Sequence, residues 1–291
     1  LINSPRCFCH NEGAIGSSFR ATSIAGESDT RRSKPSKPMI ESFGVTDIGR
    51  RRQLNEDAML IDDKSGLYVV ADGMGGHNAG EVASQLAVET VSNFVRRSGL
   101  EEEITWPYGV DPAISINANR LRTAIMLANK RVWKEADNRE DYTGMGTTIV
   151  GGLAGDASLI LCGAGDSRAY RLRGDALDQI TVDDSWVQVA LSEGLLQADE
   201  AENHPMKNII TKAVGAKQNI DLTVQEETLE DGDLYLLCTD GLHGMLNHTG
   251  IVEILSAKKD NLEEAVQGLV AAANENGGKD NITAVALRYS K

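Results

Sequence analysis

The sequence lacks any long hydrophobic run, and positive charge is scarce. No stretch of the 291 residues approaches the ~20 consecutive apolar side chains that a helix needs to cross a bilayer. The 29 Lys and Arg residues are outnumbered by 43 Asp and Glu residues, which gives a net charge of -14. Such an excess of negative charge opposes binding to nucleic acid or anionic lipid. We therefore expect no membrane span and no nucleic-acid partner.

Cysteine and histidine are also few, and their spacing excludes the common zinc motifs. Cys162 and Cys238 lie inside apolar runs, which is typical of buried free thiols in a reducing compartment. Of the five histidines only His243 and His248 lie close together, and that spacing is not a zinc signature. These features indicate a soluble, intracellular protein, located by default in the cytoplasm.

The first 40 residues differ in composition from the rest of the chain. Residues 1–40 show no apolar periodicity and are rich in Ser, Arg, Lys and Pro, which is typical of a disordered tail. Residues 1–26 contain a single acidic residue, Glu12, as organelle transit peptides do. Import into a chloroplast or mitochondrion is therefore an alternative to the cytoplasm, and a plain solvated tail explains the segment equally well. The folded domain is predicted to span residues 41–291.

Short apolar runs alternate with turn signals throughout this domain, which predicts buried strands. The clearest runs are Leu67–Ala71, Thr147–Gly151, Leu159–Cys162 and Leu234–Cys238. Turn residues at Gly155-Asp156 and Gly174-Asp175 favour antiparallel hairpins. Helical periodicity appears at Gly80–Arg97, from Asp111-Pro112 onward, at Thr249–Ala257 and at Leu262–Asn274. Strand clusters separated from helix pairs predict an α+β layered domain.

Acidic residues follow several of these apolar runs in a repeated pattern. The motifs are Asn55-Glu56-Asp57, Asp72-Gly73, Asp240-Gly241 and Asp280-Asn281. A glycine after the aspartate lets the backbone approach closely and leaves its carbonyl open as an oxygen ligand. One Asp-Gly pair alone more often marks a turn. Four acidic motifs of similar design favour a site for hard divalent cations such as Mg²⁺ or Mn²⁺.

Six motifs occur in an order that is specific to one family. They are Asn55-Glu56-Asp57, Val70-Ala71-Asp72-Gly73-Met74-Gly75-Gly76-His77, Gly144-Met145-Gly146-Thr147-Thr148, Gly165-Asp166-Ser167-Arg168, Thr239-Asp240-Gly241-Leu242 and Asp280-Asn281-Ile282-Thr283. From Ser42 to Tyr289 the sequence resembles the metal-dependent protein phosphatases of type 2C, in their bacterial-like form. The resemblance implies a four-layer α-β-β-α sandwich, with two antiparallel sheets flanked by helix pairs.

The resemblance also implies roles for individual residues. The implied metal ligands are Glu56, Asp57, Asp72, Gly73, Asp240 and Asp280. Asp72 would bridge two divalent cations, Mg²⁺ or Mn²⁺, and is one of two implied catalytic residues. The other is Arg52, which would bind the phosphoryl oxygens of the substrate. Its neighbours Arg50 and Arg51 are interpreted as solvated charges.

The implied activity is hydrolysis of phosphoserine and phosphothreonine in proteins by a water molecule that the metals activate. Phosphorylated proteins would be the partners, in opposition to a serine/threonine kinase, and we expect a monomer. An inactive relative that binds phosphoproteins as a regulator is the alternative. A glycine-rich nucleotide-binding module is disfavoured because the segment from Gly73 to Gly80 lacks the lysine of a phosphate loop.

Three positions depart from the pattern of the family. Met74 stands where animal-type members carry a histidine, and a thioether cannot donate a proton; His77 or a metal-bound water is the alternative donor. Thr143 and Gly244 replace acids associated with a third metal, so we predict that a third site is weak or absent, unless Glu140 or Asp141 substitutes.

Two further segments lie near the predicted site. Asp184–Gly215 resembles the mobile flap of bacterial-like members, and its loop-rich composition suits substrate selection; we call this segment the flap. Its Lys207 and Lys212 are interpreted as solvated charges in preference to phosphopeptide contacts. Asp166 and Ser167 are interpreted as structural turn residues.

Overall fold

The computed structural model describes residues 39–76, 79–100, 104–201 and 204–291. Its first strand begins at Met39, two residues before the predicted start of the domain, because Met39 and Ile40 pair with Ser290 and Tyr289 of the last strand. Residues 1–38, with the predicted tail and its transit-peptide alternative, lie outside the described residues. None of the helices in the described ranges is long and apolar enough to cross a membrane.

Eleven strands in these ranges form two antiparallel sheets. The strands are β1 (Met39–Asp47), β2 (Asp57–Asp62), β3 (Leu67–Met74), β4 (Gly146–Thr147), β5 (Ile149–Ala154), β6 (Ser158–Ala164), β7 (Arg168–Arg173), β8 (Ala176–Gln179), β9 (Val224–Thr228), β10 (Leu234–Cys238) and β11 (Ile282–Ser290). The first sheet has the order β1-β11-β10-β7-β8. The second has the order β2-β3-β5-β6-β9, and β4 pairs with the end of β3. The predicted hairpins join β5 to β6 and β7 to β8.

Helix pairs cover the outer face of each sheet. The helices are α1 (Ala79–Leu100), α2 (Ile116–Asn138), α3 (Trp186–Ser192), α4 (Ala198–Ala201), α5 (Asp240–His243), α6 (His248–Ala257) and α7 (Leu262–Glu275). Buried side chains of α1 and α2 pack on the second sheet, and those of α6 and α7 pack on the first. The flap, between β8 and β9, contains α3 and α4.

The prediction that the second helix opens at Asp111-Pro112 was wrong by several residues. Helix α2 begins after Ser115, whose hydroxyl accepts the N–H of Ala118 as an N-cap. Asp111 instead accepts the N–H of Ala113 and stabilises a turn before the helix.

Both central strands are buried on two faces, which explains their continuous apolar runs. In β3, Leu67, Val69 and Ala71 face the helices, whereas Tyr68 and Val70 pack between the sheets. Strand β10 repeats this arrangement in the first sheet: its odd positions pack between the sheets and its even positions pack against the helices. The layers are therefore helix, sheet, sheet, helix, and the predicted α+β four-layer fold is confirmed.

Candidate active site

Four predicted metal ligands meet at one end of the sandwich because of strand register. Asp57 starts β2 and pairs directly with Asp72 near the end of β3. Asp240 follows β10 by two residues, and Asp280 precedes β11 by two residues. Strands β10 and β11 run antiparallel, so the end of one lies beside the start of the other. The topology thus brings together acids that are up to 223 positions apart in the chain.

Asp57 is the most buried of these acids, with 7% of the residue exposed. Its Oδ2 accepts hydrogen bonds from the hydroxyls of Thr239 (2.9 Å) and Thr283 (2.6 Å), which lie on the opposite sheet. Its buried Oδ1 has no hydrogen-bond partner among the described residues. Burial raises the pKa of Asp57 to about 7, against the lowering effect of the two threonine bonds. An acceptor of this kind is a ready ligand for a cation.

The pKa values of Asp72 and Asp240 are also raised. Burial, followed by the charges of Asp57 and Asp240, raises the pKa of Asp72 well above its usual range. Burial and the charge of Asp280 raise the pKa of Asp240, while a hydrogen bond with Asp72 lowers it. Within the described residues the buried Oδ1 of Asp240 also lacks a hydrogen-bond partner. Carboxylates packed this closely require bound protons or cations to balance their charge.

Asp280 holds Arg52 at the mouth of the site. The Nη2 of Arg52 donates to Asp280 Oδ2 at 2.6 Å, and its Nη1 lies 3.9 Å from Glu56 Oε2. The hydrogen bond to Asp280 is the main cause of the raised pKa of Arg52. The Arg52 side chain remains 47% exposed, so the guanidinium is accessible to a ligand from solvent. Arg50 and Arg51 are exposed, in agreement with their interpretation as solvated charges.

Gly73 and Glu56 join the site to the start of α1. The N–H of Gly73 donates to the Glu56 carbonyl at 3.1 Å. A Cβ at Gly73 would lie 2.0 Å from the Gly80 carbonyl oxygen, so only glycine fits in this position. Burial raises the pKa of Glu56, although Arg52 and the N–H of Gly80 oppose the rise.

The structure adds one acid that sequence reasoning missed. Asp166 is partly buried beside Asp240, and burial followed by the charge of Asp240 raises the pKa of its carboxyl to about 7. The available signal was its position, since it follows β6 and a glycine in the same way as the other site acids follow their strands. Its neighbour Ser167 is a turn residue whose hydroxyl lies 2.7 Å from Thr148 Oγ1.

A cleft of about 620 Å³ extends from Asp166 and Asp240 beneath the flap. Helix α3 forms one wall, and α5 with the start of α6 forms the other. Lys207 lines this cleft. Lys212 does not: it forms an ion pair with Asp184 at 2.8 Å, so it is not the solvated charge that we predicted.

The three departures from the family pattern occupy distinct places. Gly244 lines the cleft, and its N–H donates to the Asp240 carbonyl at 2.7 Å. Met74 packs against Gly146, where a Cβ would lie 3.1 Å from the Met74 methyl group. Thr143 lies on an exposed turn, and the nearby acids Glu140 and Asp141 are exposed as well. His77, the alternative proton donor, lies outside the described residues.

Comparisons with known proteins agree with this geometry. The family model of protein phosphatase 2C matches residues 48–283. The serine/threonine phosphatase stp of Listeria innocua is 35% identical over 249 residues, covering 83% of this chain and 93% of that protein. The serine/threonine protein phosphatase PstP of Mycobacterium tuberculosis is 34% identical over 240 residues, covering 82% of this chain and 43% of PstP.

Solved structures extend the similarity to three dimensions. The catalytic domain of PstP in complex with 2 manganese ions matches with a TM-score of 0.74 and 31% identity, over 87% of this chain and 100% of that one. A bacterial serine phosphatase matches with the same TM-score and 33% identity, over 87% of this chain and 98% of its own. From the ordered motifs, the layered fold and these matches, the chain belongs to the protein phosphatase 2C family.

Proposed function

We propose that this protein is a metal-dependent serine/threonine protein phosphatase that hydrolyses phosphoserine and phosphothreonine. The observation that carries the proposal is the pair of buried, unpartnered oxygens on Asp57 and Asp240, placed beside Asp72 in the described part of the chain. Relatives of this chain are named serine/threonine phosphatases, and one neighbouring structure contains manganese. The negative charge of these carboxylates attracts cations, and bound cations would in turn attract the negatively charged phosphoryl group.

The donor set fits two hard divalent cations, Mg²⁺ or Mn²⁺. Asp72 would be shared, with the Gly73 carbonyl, Glu56 and Asp57 on one side and Asp240 and Asp280 on the other. The described residues contain no group of three or more His, Cys, Asp or Glu side chains already arranged to hold a metal ion. Water and the Gly73 carbonyl would supply further oxygen ligands beside the carboxylates. When bound, such cations acidify water and offset charge on the phosphoryl group.

The protein's own residues supply orientation and binding. Arg52, held by Asp280 and exposed to solvent, would bind phosphoryl oxygens through its planar N–H groups. The hydroxyls of Thr239 and Thr283 fix the Asp57 carboxylate in one orientation. Arg52 would therefore position the substrate, and the two threonines position the Asp57 carboxylate, before the chemical step.

Water is the nucleophile that the side chains leave available. Cys162 and Cys238 are fully buried, and burial raises the pKa of each thiol to about 12. The hydroxyl of Ser167 is buried and bonded to Thr148. In the described residues none of these groups combines exposure with an adjacent base, so a covalent phosphoenzyme is disfavoured.

The test is hydrolysis of a phosphothreonine peptide with Mn²⁺ or Mg²⁺, and then with chelator. We expect Asp72→Asn and Asp240→Asn to lower kcat at least a hundredfold, and Arg52→Ala mainly to raise KM. Asp178→Asn, which removes an exposed carboxylate from an ion pair with Arg171, serves as the matched control. Turnover without metal, or wild-type rates in both site variants, would overturn the proposal.

The same assay separates the enzyme from the alternative of an inactive phosphoprotein-binding regulator. Such a regulator would bind the peptide without releasing phosphate. We further propose that the substrates are phosphoproteins modified by a serine/threonine kinase and that the protein acts as a monomer. The buried free thiols support a reducing, intracellular location.

A further inference from the structure

Asp184, the first residue of the flap, binds both ends of this segment. Its backbone carbonyl accepts the N–H of Thr211 at 2.7 Å. Its Oδ1 pairs with Lys212 Nζ at 2.8 Å. The start and the end of the flap are therefore joined through one residue.

The same residue also binds the turn that carries Asp166. The N–H of Asp184 donates to the Gly165 carbonyl at 2.8 Å, and its Oδ2 accepts the N–H of Gly165 at 3.2 Å. Gly165 has a φ of +101°, and a Cβ there would lie 2.7 Å from the Thr148 side chain. The turn therefore requires glycine at position 165 and is held by two hydrogen bonds to Asp184.

Hydrogen bonds continue from this turn to the backbone of Asp72. Ser167 and Thr148 share a bond of 2.7 Å between their hydroxyls. The N–H of Asp72 donates to Thr148 Oγ1 at 3.1 Å, and the N–H of Thr148 donates to the Asp72 carbonyl at 2.8 Å. A continuous chain of contacts thus runs from Asp184 to Asp72.

A second connection leaves the far end of the flap. Val214 and Thr147 exchange backbone hydrogen bonds of 2.8 and 2.9 Å, and the hydroxyl of Thr147 donates to the Asp72 carbonyl at 2.8 Å. One end of the flap is therefore attached to Gly165, the residue before Asp166, and the other end to Thr147, which binds the Asp72 carbonyl.

From this geometry we infer that Asp184 is a positioning residue: its side chain clamps the flap ends to the Gly165–Ser167 turn, so that the position of the flap and the placement of Asp166 beside Asp240 are set together. The side-chain partners of Asp184 are Gly165 and Lys212, neither of them a predicted metal ligand, so it acts through the turn. Only the kinetic consequence rests on the proposed function, because the clamp itself is a property of the fold.

Three variants separate the two side-chain contacts of Asp184. Asp184→Asn keeps an oxygen that accepts the Gly165 N–H but loses the charge that attracts Lys212. Lys212→Met removes the ion pair from the other side. Asp184→Ala removes both contacts. Glu230→Ala is the control, since it removes an ion pair of 2.6 Å with Arg173 outside the flap.

Hydrogen exchange provides a readout that does not depend on activity. In Asp184→Ala we expect amide exchange to rise at least tenfold across residues 185–201 and at Gly165 and Asp166. We expect Asp184→Asn and Lys212→Met to show smaller and mutually similar increases, with no change in Glu230→Ala. Exchange in Asp184→Ala equal to that of the control would overturn the clamp.

Kinetics test the link to the site. For both p-nitrophenyl phosphate and a phosphothreonine peptide we expect kcat of Asp184→Ala to fall on the order of tenfold. We also expect KM to rise more for the peptide than for p-nitrophenyl phosphate. A merely structural role would lower Tm and leave these constants unchanged, which would overturn the coupling. If the wild-type protein hydrolyses neither substrate, the proposed function fails, while the exchange measurement still decides the clamp.

Discussion

Replacement of Asp57 by asparagine should stabilise the metal-free protein. Asp57 is 7% exposed, and burial raises its pKa from 3.8 to about 7. At about 1.36 kcal/mol per pKa unit, ionising this carboxyl costs about 4 kcal/mol more in the folded protein than in the unfolded chain. The amide introduced by Asp57→Asn would retain the acceptor for the two threonine hydroxyls but would still bear its own burial cost of about 1–3 kcal/mol. We expect a net gain of about 2 kcal/mol at pH 8.

The sign of the pH dependence follows from the direction of the shift. Because the folded-state pKa of Asp57 lies above the unfolded value, the folded protein binds more protons than the unfolded chain does between about pH 4 and pH 7. The free energy of unfolding of the metal-free wild type should therefore fall as pH rises through this window. Asp57→Asn should show a flatter profile, and its advantage should be largest at the alkaline end.

Urea unfolding followed by tryptophan fluorescence, with chelator, at pH 5 and pH 8 measures both effects. In a thermal melt, the same gain of about 2 kcal/mol would raise Tm by about 4–8 °C in a domain of this size. With saturating Mn²⁺ the difference should shrink, because cations that bind only the folded state stabilise the wild type more. Asp178→Asn should stay within about 0.5 kcal/mol. An Asp57→Asn variant that is less stable than wild type in chelator at pH 8 would refute the reasoning.

Three other outcomes are open to measurement. Cys162 and Cys238 should react with iodoacetamide at least a thousandfold more slowly in the native than in the unfolded protein at pH 8, as followed by peptide mass spectrometry, because burial raises both thiol pKa values to about 12. Gly165→Ala should lower the free energy of unfolding by about 3 kcal/mol, whereas Gly174→Ala, with φ +60° and open space around it, should cost about 1 kcal/mol. Calorimetric titration should find two tight Mn²⁺ equivalents per chain, and three would contradict the prediction of a weak or absent third site.

The sequence predicted the fold and the identity of the clustered acids well, because both depend on local patterns. Continuous apolar runs such as Leu67–Ala71 indicated strands buried on both faces, and a carboxylate after a run placed it at a strand end. The order of the motifs then specified the family. Asp57 and Asp72 are in fact direct partners across β2 and β3.

What the sequence could not supply depends on contacts between distant segments. Asp166 follows a strand like the other acids, yet its nearness to Asp240 becomes evident only when β6 and β10 are placed in their sheets. Lys212 resembled a surface charge because its partner Asp184 lies 28 positions earlier in the chain. The start of α2 was misplaced because two nearby residues, Asp111 and Ser115, can each cap a helix, and only Ser115 does.

The attachment of the flap also bears on how such a protein diversifies. Residues 185–210 leave and rejoin the core at points joined by a hydrogen bond of 2.7 Å between the Asp184 carbonyl and the Thr211 N–H and by the Asp184–Lys212 ion pair. For an excursion closed at its base in this way, a change of length alters the closing entropy by only about 0.6 kcal/mol per doubling. We therefore expect its length to tolerate change at little cost to the fold, provided that Asp184, Thr211 and Lys212 are kept.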